Sequence, residues 1–210
     1  MTKTFDEILR LRRSTRVFTD KVPPKDLIDK IIDAGLLAPY AAQAVGSDKN
    51  FRRFYIVQKN SNALSRMKTL MQDEAGNNLA VLRKELEQKP FLENKLLPFI
   101  KKLESIKNKG VLGVGTAPYY IIIAEKKGTP PVEQQSLAHC LQNMWLKTTE
   151  FGLGFHLVSM TAEMIKNREF CKILQINSSD YAINGCAIGV PKSVPVEKTN
   201  KTNRIVEELH

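Results

Sequence analysis

Apolar residues at helical spacing predict the first two helices of the chain. Thr4 and Glu7 form a capping-box pattern, and the apolar residues beside them have the spacing of a short helix. A second helix is expected to begin at Pro23 and Pro24 and to end at Pro39, because proline is tolerated in a first turn and disfavours helix just before it. Its predicted buried stripe consists of Leu27, Ile28, Ile31, Ile32 and Leu36.

Three later stretches also favour helix. Residues 61–109 are charged and contain few glycines and prolines, which predicts two or three helices. A long helix is expected from Pro131 to Gly152 and Gly154, since glycine commonly ends helices, and Thr161 is expected to cap a further one. The predicted core side of the long helix consists of Leu137, Leu141, Met144, Trp145 and Thr148.

Four stretches have the residue pattern of β-strands: 51–57, 118–124, 155–159 and 181–190. The second of them is apolar almost throughout, which predicts a strand that is buried on both faces. Strands separated by helices predict a layered fold of mixed α and β structure. With 210 residues, of which 42% are hydrophobic, the chain is expected to form a single domain over 1–210.

Charge and cysteine content narrow the function classes. The formal net charge of +10 favours anionic partners such as nucleic acid or phosphorylated ligands. Cys140, Cys171 and Cys186 are far apart and form no CxxC pair, so neither a disulfide framework nor a metal site is indicated. The chain has neither a signal-peptide pattern nor an apolar run of about 18 residues, so a cytoplasmic protein that does not span a membrane is expected.

The stretch Arg12-Arg13-Ser14-Thr15-Arg16 is the strongest candidate for chemistry. In a helix, Arg12 and Arg16 share a face, and in an extended segment Arg12, Ser14 and Arg16 point to one side. Either geometry places two guanidinium groups together, and such groups match the oxygens of a phosphate. The plainer alternative is a solvated basic loop.

Several stretches in one order resemble the nitroreductase family. They are R-R-S-T-R-V-F at 12–18, L-L-A-P at 36–39, the apolar strand at 119–124, S-L-A-H-C-L-Q-N-M-W-L through G-L-G at 136–154, A-I-G-V-P at 187–191, and Arg204 followed by Glu207 and Glu208. Together they cover both ends and the middle of the chain.

The resemblance implies a fold and an activity. The expected fold is α+β, with three α/β/α layers, a central mixed and mostly antiparallel sheet, and a homodimer that exchanges a C-terminal arm at 191–210. The helices at 61–109 would be an insertion or lid. The expected activity is FMN-dependent reduction of a nitroaromatic, quinone or similar small acceptor with NAD(P)H, by ping-pong turnover. FMN would carry the chemistry, so no catalytic side chain is expected.

The resemblance also implies which residues bind the cofactor. Arg12 and Arg13 suit the FMN phosphate, Arg16 suits the ribityl chain or the pyrimidine edge, and the segment from 157 to 161 would run along the flavin ring. The loop after Pro39 would approach the ring from the other subunit. The full set of implied FMN contacts is Arg12, Arg13, Ser14, Arg16, Pro39, Tyr40, Ala41, Gln43, Val158, Ser159, Met160, Lys201 and Arg204.

The chain departs from the family pattern after Pro39. Tyr40 stands where the family usually has serine, and the family's Q-P-W is missing. A phenol at this position would cover the ring, narrow the pocket or donate a hydrogen bond. The tail is also one residue shorter between Arg204 and the glutamates.

Two alternatives remain open at this stage. The first is a specialised flavoprotein such as a reductive dehalogenase or a flavin-consuming enzyme, which would differ in the lid. The second is a basic protein that binds nucleic acid or an acidic partner, favoured by the charge and by Arg52 and Arg53. Against the second, aromatic residues are not interleaved with the basic ones, so no nucleic-acid partner is expected.

Overall fold

Four strands form one sheet in the order β1-β2-β4-β3, and each neighbouring pair is antiparallel. The computed structural model describes residues 3–40, 50–197 and 206–208. The strands are β1 (Arg52–Gln58), β2 (Tyr119–Lys126), β3 (Gly154–Leu157) and β4 (Tyr181–Gly189). A parallel bridge between Ser14 and Phe155 adds the mixed character that was predicted.

Helices cover both faces of the sheet. They are α1 (Phe5–Leu11), α2 (Lys25–Leu36), α3 (Asn62–Gln88), α4 (Glu93–Lys109), α5 (Glu133–Glu150), α6 (Met160–Glu163) and α7 (Arg168–Leu174), with 3-10 turns at Pro90–Leu92 and Met164–Lys166. The two or three helices expected in 61–109 are therefore α3, a 3-10 turn and α4.

The alternation of side chains along β2 produces two separate cores. Tyr120, Ile122 and Ala124 pack with the apolar residues of α3 and α4. Tyr119, Ile121 and Ile123 point the other way and pack with α2 and α5. Because successive strand residues face opposite sides, one fully apolar strand serves both layers. The arrangement confirms the predicted α/β/α layering.

Gly35, and not Leu36, lies on the buried face near the end of α2. Leu36 was predicted to be buried, but this prediction is wrong: its side chain is 52% exposed. Gly35 faces α5 instead, and a Cβ atom added there would lie 2.8 Å from Cγ of Met144. The close approach of the two helices requires the glycine and turns Leu36 toward the surface.

The region after β3 also differs from its prediction. The strand ends at Leu157 rather than Ser159, and Thr161 lies inside α6 instead of capping a helix. The Thr161 hydroxyl is hydrogen-bonded to the Tyr120 hydroxyl at 2.7 Å. Asn167 provides the cap for α7 by accepting from the backbone N–H of Phe170. Thr161 does not cap a helix because its hydroxyl is hydrogen-bonded to Tyr120, a residue too far away in the sequence for the local pattern to indicate.

A buried ion pair joins the end of α2 to the sheet. Arg52 Nε donates to Glu125 Oε2 at 2.7 Å, directly across the β1–β2 ladder, and both side chains are almost fully buried. The same guanidinium donates to the carbonyls of Gly35 and Ala38 and to the Ser136 hydroxyl.

This ion pair has two consequences. The Ser136 hydroxyl donates in turn to the carbonyl of Pro39 at 3.0 Å, so the network fixes where the chain leaves α2. Arg52 is also withdrawn from the surface, so it does not offer its charge to an anionic partner as the nucleic-acid alternative requires. Arg53 itself lies over the ring of Tyr181.

Replacing Arg52 tests the importance of this network. The variant Arg52→Met leaves Glu125 buried without its cation, so the free energy of unfolding should fall by about 3–5 kcal/mol. Urea denaturation followed by circular dichroism measures the change. Lys172→Met is the matched control, because it breaks an exposed ion pair with Glu169 and should lower the free energy of unfolding far less. Equal losses in the two variants would show that the buried ion pair is no more important than the exposed one.

Candidate functional site

The basic loop, residues 12–18, is attached to the sheet by backbone hydrogen bonds. The N–H of Thr15 donates to the carbonyl of Phe155 in β3 at 2.8 Å. On its other side, the N–H of Lys192 donates to the carbonyl of Val17 at 3.1 Å. The loop is therefore bound both to β3 and to the chain that follows β4.

A glycine allows the loop to come this close to β3. A Cβ atom added to Gly154 would lie 2.6 Å from Cγ2 of Thr15 and 2.8 Å from its Cβ. Such distances do not occur between real side chains, so a larger residue would push the loop away from the strand. Close packing against Thr15 therefore explains why the last residue of the G-L-G stretch, Gly154, is a glycine.

The loop brings its polar side chains to one place. Arg12, Arg13, Ser14 and Arg16 line a cleft of about 280 Å³, which we call the basic cleft. Helix α1 ends at Leu11 and the backbone of Arg12 is extended, so the extended geometry considered for this stretch is the one observed. Guanidinium groups and a hydroxyl around a small cleft form a donor set that suits a phosphate.

A second depression, the central cavity, adjoins the basic cleft. Its volume is about 390 Å³, which lies within the usual range for small-molecule sites. Arg16 lines both the cleft and the cavity. The remaining lining residues are Phe99, Lys102, Leu103, Ser105, Ile106, Gly110, Val111, Leu112, His156, Leu157, Val158, Ser159, Met160 and Glu163.

The central cavity is lined both by residues that were predicted to contact the cofactor and by residues that were not. Val158, Ser159 and Met160 were expected to lie along a ligand, and they form one wall beside Arg16. Phe99 and Lys102 of α4 form another wall, although no motif singled them out. Their only signal in the sequence was membership of the helical stretch 61–109.

His156 is an unexpected polar group in this cavity. Its Nδ1 atom is buried and has no hydrogen-bond partner among the described residues. Burial disfavours the imidazolium, and the nearby Arg16 and Lys102 add repulsion, so the pKa of His156 is lowered to about 4. The side chain is therefore neutral near pH 7, and the positive charge at the cavity comes from Arg16 and Lys102.

The residues around Pro39 have a different position. The Tyr40 hydroxyl donates to the carbonyl of Lys126 at 2.7 Å, and its ring lies 4.3 Å from that of Phe51. Neither Pro39 nor Tyr40 lines the basic cleft or the central cavity. The other predicted contacts, Ala41, Gln43, Lys201 and Arg204, lie outside the described residues.

Two other kinds of feature, metal-ligand clusters and membrane-spanning helices, are absent from the described part of the chain. Within 3–40, 50–197 and 206–208, no three His, Cys, Asp or Glu side chains are grouped as metal ligands. Over the same ranges, every helix is too short or too polar to cross a membrane. The three cysteines are buried and unpaired.

Comparison with known proteins identifies relatives of this chain. The family described as the nitroreductase family matches residues 9–190. No curated protein matches.

Solved structures share the fold at low sequence identity. A nitroreductase with bound FMN from Bacteroides fragilis is 20% identical, with a TM-score of 0.70 over 98% of this chain and 100% of its own. An iodotyrosine deiodinase bound to FMN and 3-iodo-L-tyrosine is 17% identical, with a TM-score of 0.67 over 99% and 100%. A candidate NADH oxidase from Clostridium acetobutylicum is 18% identical, with a TM-score of 0.58 over 96% and 99%.

The lowered pKa of His156 predicts a pH-dependent stability. Between its ordinary value of 6.5 and about 4, the unfolded chain binds a proton that the folded protein does not. This contribution to stability should therefore be complete above pH 6.5 and be lost as the pH falls through that window. The variant His156→Gln stays neutral in both states, so its melting temperature should fall less steeply with acid than that of the wild type.

Thermal unfolding by circular dichroism between about pH 7 and pH 4.5 measures both slopes. The control His139→Gln changes an exposed histidine of α5 outside the cavity and should keep the wild-type slope. A His156→Gln protein with the wild-type slope would contradict the prediction.

Proposed function

The chain belongs to the nitroreductase family, and from that premise we propose that it is an FMN-dependent oxidoreductase that passes electrons from NAD(P)H to a small acceptor. One observation carries the proposal: Arg16 lines both the basic cleft and the central cavity. A phosphate site beside a cavity suited to a flat ring is the arrangement that a phosphorylated flavin requires.

The residues present fit this cofactor. Guanidinium groups at the basic cleft match a phosphate, and the apolar walls of the central cavity suit an aromatic ring. When bound, FMN supplies the redox chemistry by accepting hydride from NAD(P)H and passing electrons to the acceptor. The protein's own tasks are binding, orientation and electrostatics.

Each part of the site has a proposed task. Arg12, Arg13 and Ser14 bind the phosphate, while Arg16 lies at the junction and binds the ribityl chain or the pyrimidine edge. The segment 158–160 runs along the ring. Lys201 and Arg204 lie outside the described residues; in this proposal their cations would also bind the phosphate.

A partner subunit completes the proposed site. Ala41 and Gln43, with Pro39 and Tyr40 before them, would approach the ring from the second copy of a homodimer. Exposed apolar side chains support dimerisation: Phe5, Leu36 and Leu37 are 64%, 52% and 84% exposed. Large apolar groups at the surface are typical of interfaces when they form patches. The arm at 191–210 would pack on the partner.

One flavin ring implies one place for both substrates. NAD(P)H and the acceptor, a nitroaromatic or quinone, would stack in turn at the same place on the ring held in the central cavity, which gives ping-pong kinetics. Arg16 and Lys102 provide a positive environment for charge that develops during reduction. No side-chain acid or base is required in this scheme.

The deiodinase likeness supports a second candidate, a dehalogenating flavoprotein. That solved structure binds 3-iodo-L-tyrosine, and α4 here supplies the cavity wall where a specialised lid would act. Halide release from an iodinated phenol under reducing conditions would favour this candidate. Reduction of a nitroaromatic or quinone by NAD(P)H without halide release would favour the main proposal.

The cofactor assignment predicts a yellow protein with about one FMN per chain. The double variant Arg12→Ala/Arg16→Ala should bind FMN ~100-fold more weakly or worse, since two charge-assisted contacts are lost. Its circular dichroism should stay that of the wild type. The absorbance spectrum and FMN fluorescence measure occupancy and affinity.

Arg10→Ala is the matched control for the double variant. It removes an exposed arginine of α1 that does not line the basic cleft, so FMN should stay bound. If the double variant keeps its FMN at wild-type affinity, the site assignment is wrong.

A further inference from the structure

The indole of Trp145, on α5, touches the basic loop in two ways. The Cζ atom of Arg12 lies 4.3 Å from the centroid of the indole, over its face. The indole Nε1–H donates to the carbonyl of Arg13 at 3.3 Å. One side chain therefore contacts the side chain of one phosphate candidate and the backbone of the next.

The same indole is tied to the strand that anchors the loop. Its ring is stacked on that of Phe155 with a centroid distance of 4.9 Å and an interplanar angle of 17°. The carbonyl of Phe155 accepts the N–H of Thr15. Arg12, Arg13 and Thr15 are thus all held by Trp145 and its stacking partner.

An aromatic face is a suitable support for an arginine that must bind an anion. A guanidinium held by a carboxylate would have its charge neutralised and its donors occupied. Over an indole it keeps both, because the attraction comes from the ring quadrupole and leaves the N–H edges open. Among the described residues, no ion pair joins Arg12 to a carboxylate.

We infer that Trp145 is a positioning residue for the cofactor phosphate: it holds Arg12 and Arg13 ready in the basic cleft before the ligand arrives. This inference rests on the proposed FMN function. Immobilising a long side chain in advance lowers the entropy lost on binding. Removing the indole should therefore weaken phosphate binding specifically, and leave the contacts of the flavin ring intact.

Comparison of FMN with riboflavin isolates this role, because riboflavin has the same ring and no phosphate. After bound flavin is removed from the purified protein by dialysis at high salt, dissociation constants for both ligands are measured by flavin fluorescence. Trp145→Leu should raise the dissociation constant of FMN about 10-fold and that of riboflavin less than 2-fold. Trp145→Phe keeps a ring under Arg12 and loses the N–H donor, so its effect on FMN should be intermediate.

Phe151→Leu is the matched control. This residue follows the same helix, packs against the same apolar cluster and lies under a cation, Lys147, at 4.9 Å. Among the described residues, no hydrogen bond, ion pair or ring contact joins it to the basic loop, so neither ligand should bind differently. A purely structural role of Trp145 would lower the affinity for both ligands equally, and that result would overturn the inference.

A further measurement needs no substitution. Trp145 is the single tryptophan of the chain, so the intrinsic emission reports on the basic cleft. Inorganic phosphate added to the flavin-free wild type should change this emission, and potassium chloride of equal ionic strength should not. An emission that stays the same with phosphate would also count against the inference.

The outcomes separate the inference from the proposed function. If the wild type binds FMN tightly and Trp145→Leu keeps the wild-type ratio of FMN to riboflavin affinity, the inference alone fails. If the wild type binds neither FMN nor riboflavin, the proposed function fails, and the inference fails with it.

Discussion

The candidate site depends on the close contact between the basic loop and β3. The backbone N–H of Thr15 donates to the carbonyl of Phe155, and Gly154 leaves the room for this close approach. The contact places the four polar side chains of the basic cleft beside β3. The chain leaving that strand forms a wall of the central cavity. The basic cleft and the central cavity therefore lie next to each other, because one loop and one strand share a backbone contact.

The positive charge of the candidate site comes from the basic loop and from α4. Arg16 and Lys102 both lie close enough to His156 to lower its pKa, and Arg12 is supported by an aromatic ring rather than an acid. Elsewhere several cations are paired with acids: Arg52 is buried against Glu125, and the exposed Lys172 lies beside Glu169. The positions of the cations, and which of them are paired with acids, are therefore more informative about the site than the net charge of +10.

Local pattern predicted much of this fold, and tertiary contacts explain the rest. The capping box at Thr4, the apolar strand β2 and the basic stretch were all readable, because each depends on residues near in sequence. Leu36 and Thr161 were misassigned because Met144 and Tyr120, far along the chain, determine their surroundings. Phe99 and Lys102 gave no signal, since a helix pattern does not state which cavity the helix will line.

The most direct test of the central claim is the phosphorus NMR signal of FMN in the purified protein, followed with pH. Free phosphate monoesters take up a second proton at a pH of about 6, and the chemical shift follows that titration. If guanidinium groups of the basic loop hold the phosphate, the bound signal should keep the dianion shift well below this pH. A bound phosphate that titrates like free FMN would contradict the account.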